Sequence, residues 1–276
     1  MQVFKISLSE HYPFLGEDGK KPYADVYLPY NIEEMEDKNK IRPTVVVCPG
    51  GAYKYCSERE AEPVALKFLA MGFNVFILNY STAPHRYPSA LIEVAALFDL
   101  IHKNADEYHC DASKIGIIGF SAGGHLAAHY SNLYDCEEIK KHFCNTYKPA
   151  FCALGYAVLS TTDAHRGSFE NLLGHFPETE EEINLFSCEK LVSSKTPQTF
   201  LFHTTGDACV PVQNAVHYAR ALADNNIKFE LHIYPDGYHG MSTCDRLSRD
   251  NVSKDAKYVG AWITELKRWL YRILDL

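Results

Sequence analysis

The chain has 276 residues, 46% of them apolar, with a formal net charge of -8. Such length and apolar content suit an α/β domain with a sizeable core. The acidic balance and the lack of a basic run argue against nucleic acid and anionic membranes as partners, and no apolar stretch is long enough to span a bilayer. The nine cysteines are scattered and form no C-x-x-C pair. Several lie in apolar runs, where cysteine acts as a small hydrophobe, so reduced thiols in a cytoplasmic protein are expected. The opening residues MQVFKISLSEHY lack the apolar core of a signal peptide.

Short β-rich runs alternate with helical patterns along the chain. VFKISLS (3–9) and KPYADVYLP (21–29) read as an opening pair of strands, with turn residues EDGKK between them. A polar surface loop is expected at 32–43. PTVVVCPG (43–50) is an unbroken β-branched run, the mark of a strand buried on both faces. Val64, Ala65, Phe68 and Leu69 fall at helical spacing within 57–72, and Gly72 stops the pattern. A buried strand at 73–80, a helix at 88–108, a strand at 114–120 and a helix at 122–134 follow. Further strands are read at 150–160, 198–207 and 228–236, with helices at about 211–226 and 255–274. This alternation predicts a mostly parallel central sheet with helices on both faces. The interval 161–196 breaks the rhythm, because a connection within an α/β sheet needs only a few residues. It reads as a lid-like insertion with two short helices, one opened by a capping box from Thr179 to Glu182.

Chemistry concentrates at strand ends. Gly119-Phe120-Ser121-Ala122-Gly123 has the G-x-S-x-G form, after a buried strand and before a helix. In that setting it is a nucleophile elbow: the turn exposes the Ser121 hydroxyl, and the Ala122 N–H faces a forming oxyanion. A serine hydroxyl needs a base. Asp207 closes QTFLFHTTGD and His239 follows KFELHIYPDGY, each in a loop after a strand. The order Ser, Asp, His fits this geometry, with His239 as base and Asp207 as its orienting acid. Pro49-Gly50-Gly51-Ala52-Tyr53 follows the first buried parallel strand. It is either an ordinary tight turn or a loop whose backbone N–H groups turn toward the serine to stabilise a tetrahedral intermediate.

Other residues carry two readings. Ser57, Arg59 and Glu60 either line the pocket and bind polar substrate groups, or Ser57 and Glu60 form an S-x-x-E cap on the next helix. Tyr53 and Tyr55 could stack on a sugar ring, and Tyr80 could form a pocket wall. His125 and His129 have i, i+4 spacing, yet no third ligand or H-E-x-x-H motif accompanies them, so no metal site is assigned. His203 reads as a satisfied core histidine.

The motifs PGGAY, LNYSTAP, GFSAGGHLAA, TTGDACVP and YPDGYHG resemble the α/β-hydrolase superfamily, nearest to its acetyl-xylan-esterase-like sugar esterases. The resemblance runs from Pro43 to about Gly240. It implies Ser121 as nucleophile, Asp207 and His239 as partners, Gly51, Ala52 and Ala122 as oxyanion-hole positions, and no cofactor. Lipases of the group usually carry His-Gly-Gly-Gly where this chain has Pro49-Gly50-Gly51-Ala52, which favours small acyl groups on polar alcohols. The expected activity is hydrolysis of short acyl esters, acetyl above all, of sugars or oligosaccharides. An exopeptidase of the prolyl-oligopeptidase type and a non-catalytic binding protein on the same scaffold are the alternatives. The expected partner is a small-molecule ester, and association through an apolar lid leaves a homodimer open.

Overall fold

The structure, a computed structural model, describes residues 1–19, 21–32, 34, 40–163 and 165–276. Half of the expected polar loop at 32–43 (residues 33 and 35–39), and Lys20 of the expected first turn, lie outside the described residues. Among the described residues one sheet contains β1 (Gln2–Ser7), β2 (Tyr23–Leu28), β3 (Arg42–Cys48), β4 (Asn74–Asn79), β5 (Cys110–Phe120), β6 (Cys152–Gly155), β7 (Thr199–Thr204) and β8 (Phe229–Tyr234). The spatial order is β1-β2-β4-β3-β5-β6-β7-β8. The pairs β1/β2 and β2/β4 are antiparallel, and every later pair is parallel.

The helices are α1 (Leu8–His11), α2 (Glu62–Ala70), α3 (Ser89–Lys103), α4 (Ser121–Leu133), α5 (Glu137–Lys140), α6 (Arg166–Leu173), α7 (Glu180–Phe186), α8 (Cys188–Leu191), α9 (Gln213–Asp224), α10 (Lys254–Val259) and α11 (Trp262–Leu274). The unbroken apolar run of β3 serves two cores because successive side chains face opposite ways. Val46 joins a cluster with Leu97 of α3, Leu126 of α4 and Leu222 of α9. Val45 and Val47 join a second cluster with Phe68 of α2 and Trp269 of α11. Helices therefore cover both faces, which is what buries a parallel sheet. No helix of the described residues is long and apolar enough to cross a membrane.

Several expected elements differ in extent; the helix expected at 88–108 ends at Lys103, and the strand expected at 114–120 begins at Cys110. The strand expected over 150–160 stops at Gly155, where Tyr156 turns the chain with a φ of 35°. The helix expected from 57 starts at Glu62, with Pro63 in its first turn, where a missing N–H costs nothing. The final helix is two, parted after Val259. In 161–196 the two expected helices are α6 and α7, with the short α8 after them.

The β3→β4 step moves to one side of β3, and the β4→β5 step crosses to the other. That reversal opens a crevice at the carboxyl ends of β3 and β5, the usual ligand position in such sheets. Register completes it: Cys48 pairs opposite Gly119, so the loop after β3 lies beside the turn after β5.

Candidate active site

Ser121 ends the turn between β5 and α4 with a φ of 52°. This left-handed backbone is costly for a residue with a Cβ and is held only where surroundings enforce it. The neighbouring glycines show how tight the turn is. A Cβ on Gly119 would sit 2.1 Å from the Gly123 carbonyl oxygen. One on Gly123 would sit 2.2 Å from the carbonyl oxygens of both Cys48 and Pro49. Both obstacles are backbone, so only glycine fits.

The structure brings Ser121, His239 and Asp207 together. His239 Nε2 lies 2.8 Å from Ser121 Oγ, and His239 Nδ1 lies 2.7 Å from Asp207 Oδ2. With Nδ1 protonated toward the carboxylate, Nε2 is free to accept the serine proton. Asp207 Oδ1 accepts the Cys209 and Val210 N–H groups, each at 2.9 Å. Burial pushes the Asp207 carboxyl up, but hydrogen bonding from His203 and His239 outweighs it and holds the group well below the usual carboxylate range. His203 is fully buried, with Nε2 2.9 Å from the Val210 carbonyl oxygen and 3.5 Å from Asp207 Oδ2. Its Nδ1 has no partner among the described residues. The expected satisfied core histidine thus stands directly behind the acid, a placement its sequence position in a strand did not signal.

The loop after β3 is strained and firmly held. Gly51 has a φ of 121°, and Ala52 and Tyr53 both have a φ of 54°. The Tyr80 hydroxyl donates to the Pro49 carbonyl at 2.6 Å. Asn171 of α6 donates to the Ala52 carbonyl at 2.9 Å, so the inserted segment grips this loop. Gly51 and Ala52 face the same pocket as Ser121. Ala122 is the second residue of α4, and N–H groups in a helix's first turn lack intrahelical partners. The positive end of α4 points the same way.

Several expected contacts are placed elsewhere. Tyr53 is buried, and its hydroxyl lies 2.8 Å from His125 Nδ1, so it offers no stacking face to a substrate. Tyr80 is buried beneath the loop and forms the wall of a separate cavity with residues 81–85, not of the pocket over Ser121. Arg59 and Tyr55 do line the pocket. Ser57 makes no side-chain cap. Glu60 lines the pocket but is buried, bonded to the Gly50 N–H at 2.8 Å and the Tyr156 hydroxyl at 2.7 Å. Burial raises its pKa, against those two hydrogen bonds. The S-x-x-E reading fails here because the carboxylate is drawn inward. At Thr179 and Glu182, on the exposed face, the full capping box forms.

His125 and His129 are fasteners. Their Nε2 atoms lie 3.1 Å from the Phe186 carbonyl and 3.0 Å from the Leu185 carbonyl, tying the end of α7 to α4. Burial first, then the neighbouring His129, pulls His125 down to about 3. Burial likewise pulls His129 down to about 4. Both are neutral donors at ordinary pH. His165, at the start of α6, adds a wall of the pocket near His239, and Cys209 adds another. The Tyr156 ring stands edge-on to His239 with centroids 5.1 Å apart. Sequence reading assigned no role to Tyr156 or Cys209.

The pocket over Ser121 is small, about 210 Å³. Typical small-molecule sites enclose about 300–1,000 Å³. A larger groove of about 570 Å³, lined by Tyr23, Asp25, Tyr27 and Glu62 among others, does not touch Ser121, His239 or Asp207. Size alone would select that groove, but the hydrogen-bonded serine, histidine and aspartate select the smaller pocket.

Residues 24–222, well over half of the chain, match the BD-FAE family. The chain belongs to the BD-FAE family. Endo-1,4-beta-xylanase B of Butyrivibrio fibrisolvens is 34% identical to this BD-FAE chain over 230 residues, 79% of the chain and 35% of that protein. Acetylxylan esterase of Xylanibacter ruminicola is 29% identical over 234 residues, 82% of the chain and 45% of that protein. The chain therefore spans less than half the length of these two curated relatives. The solved acetyl ester-xyloside bifunctional hydrolase from Caldicellulosiruptor lactoaceticus superposes with a TM-score of 0.84 at 31% identity, covering 98% of this chain and 96% of that one. With its sheet order and elbow, the BD-FAE chain has the α/β-hydrolase fold.

Proposed function

We propose that the chain is a serine carboxylesterase that removes short acyl groups, acetyl above all, from sugars or oligosaccharides. The observation that carries this reading is the unbroken contact from Ser121 Oγ through His239 to Asp207, opening on a pocket of about 210 Å³. The polar alcohol is supported by the names of the relatives, an acetylxylan esterase and an acetyl ester-xyloside hydrolase.

Ser121 Oγ attacks the acyl carbonyl carbon as His239 Nε2 takes the hydroxyl proton. Negative charge moves to the carbonyl oxygen, where the N–H groups of Gly51, Ala52 and Ala122 stabilise it; each such donor contributes about 3–4 kcal/mol in comparable sites. Asp207 steadies the imidazolium. The C–O bond to the alcohol breaks, and His239 returns the proton to that oxygen. Water then attacks the acyl-serine, His239 takes its proton, and the carboxylic acid leaves as Ser121 recovers its hydrogen. Every step uses the chain's own residues and water. In this reading the chain is one catalytic domain, and 161–196 covers the acyl pocket. A pocket of this size admits an acetyl group and crowds a long chain.

The test is acetate release from acetylated xylo-oligosaccharides by the wild type and Ser121→Ala. Release by the wild type alone supports the assignment. Cleavage of acyl-amino-acid amides with no action on esters would instead favour the peptidase reading.

A further inference from the structure

Glu60 is 3% exposed, and each of its oxygens has a donor of its own. Oε2 accepts the Gly50 N–H at 2.8 Å, and Oε1 accepts the Tyr156 hydroxyl at 2.7 Å. The Tyr156 oxygen in turn accepts the Ser242 N–H at 2.9 Å. Ser242 is three residues beyond His239, and its carbonyl accepts the Trp262 indole N–H at 3.1 Å. One run of hydrogen bonds thus joins the loop after β3 to the loop after β8. It passes close to the nucleophile. The point where a Cβ on Gly50 would stand is 2.6 Å from Glu60 Oε2 and 2.9 Å from Ser121 Cβ.

A buried carboxylate is costly unless its position is needed, since apolar packing fills such a space at less expense. Here two donors converge from different elements, an amide from one loop and a phenol from the end of β6. Only a group with two acceptor oxygens serves both. The Tyr156 ring also packs edge-on against His239. A shift of Tyr156 therefore moves the base, and a shift of Gly50 moves the oxyanion donors beside it.

We propose that Glu60 is a positioning residue, which fixes the oxyanion loop relative to His239 through Gly50 and the Tyr156–Ser242 relay. The inference rests on the serine esterase reading above and adds a role that substrate contact would not give. Both carboxylate oxygens are already committed within the protein. Glutamine at this position keeps one acceptor and loses the other. Phenylalanine at 156 keeps the ring against His239 and removes the relay.

The experiment compares Glu60→Gln, Tyr156→Phe and the double variant with wild type and Ser121→Ala, reading kcat and KM on p-nitrophenyl acetate. Circular dichroism melts establish which variants fold. Each single variant should lose roughly tenfold in kcat, up to the hundredfold that an ångström of misplacement costs. KM should stay within about twofold, since ground-state binding is not the target. The double variant should fall little below the worse single, because both cut the same relay. Folded single variants with wild-type kcat, a change in KM alone, or losses that multiply in the double variant would each overturn the proposal. Should Glu60→Gln fail to fold, wild-type kcat in Tyr156→Phe overturns it equally. An inactive Ser121→Ala beside a fully active Glu60→Gln removes this inference and leaves the esterase reading standing. A Ser121→Ala as active as wild type removes both.

Discussion

Replacing His129 with glutamine should flatten the acid side of the stability profile. His129 is buried with its Nε2 on the Leu185 carbonyl, and its pKa is pulled down to about 4. An unfolded histidine titrates near 6.5. A base whose folded pKa lies lower binds protons preferentially in the unfolded chain. Its stabilising contribution is therefore complete above about pH 6.5 and is lost as pH falls toward 4. At pH 5 the unfolded histidine is almost fully protonated and the folded one is largely neutral. The difference is about 2 kcal/mol relative to pH 7.5. His125, pulled down to about 3, adds a similar amount, so the pair contributes about 4 kcal/mol of acid sensitivity. Glu60 and Glu189, whose pKa values are raised by burial, act in the opposite direction and reduce the wild-type slope. A comparison of variants isolates the histidine. Glutamine retains an N–H donor near the Nε2 position but does not titrate. Urea unfolding at pH 7.5 and pH 5 should show His129→Gln losing about 2 kcal/mol less than wild type over that interval. Equal losses would show that His129 is not held neutral against α7, and the fastening of the inserted segment would need another explanation.

Gly123→Ala should destabilise the fold by about 1–3 kcal/mol, because its Cβ meets two backbone carbonyl oxygens at 2.2 Å; a urea midpoint equal to wild type would contradict that crowding. Asp207→Asn should lower kcat on the order of 10,000-fold with the fold intact, since the amide favours the wrong His239 tautomer; steady-state rates with a near-wild-type value would refute the role. Asn171→Ala removes the bond from α6 to the Ala52 carbonyl, and should cost about 1 kcal/mol of stability and raise KM; unchanged melting and KM would show that the inserted segment does not brace the oxyanion loop.

Much of this architecture could be read from residues in order. β3 and the end of β5 stood out because strands covered on both faces are apolar, and the serine and aspartate fall just beyond buried strands, while the histidine follows the half-buried edge strand β8. The elbow was legible because its glycines mark close backbone approach, and the contacts at Gly119 and Gly123 are of that kind. Pairings across the chain were not legible. Ser57 to Glu60 and Thr179 to Glu182 are the same local pattern, yet only the exposed one caps a helix. Burial beside Gly50 and Tyr156 decides the other, and nothing near Glu60 in sequence reports those neighbours. His125 and His129 had the spacing of ligands on a helix, but the carbonyls they bind arrive from Leu185 and Phe186 in the inserted segment. Tyr53 was misplaced for a similar reason. Its left-handed backbone turns the ring inward to His125, and a tyrosine in a glycine-rich loop gives no sign of that.

The most direct test of the central claim is rapid-mix hydrolysis of p-nitrophenyl esters from acetyl to octanoyl, with quenched samples mapped by peptide mass. The account predicts a burst of p-nitrophenol, an acetyl adduct on the peptide that holds Ser121, and the highest rate on acetyl, with burst and adduct absent in Ser121→Ala. Turnover that survives Ser121→Ala, or an adduct on another residue, would contradict it.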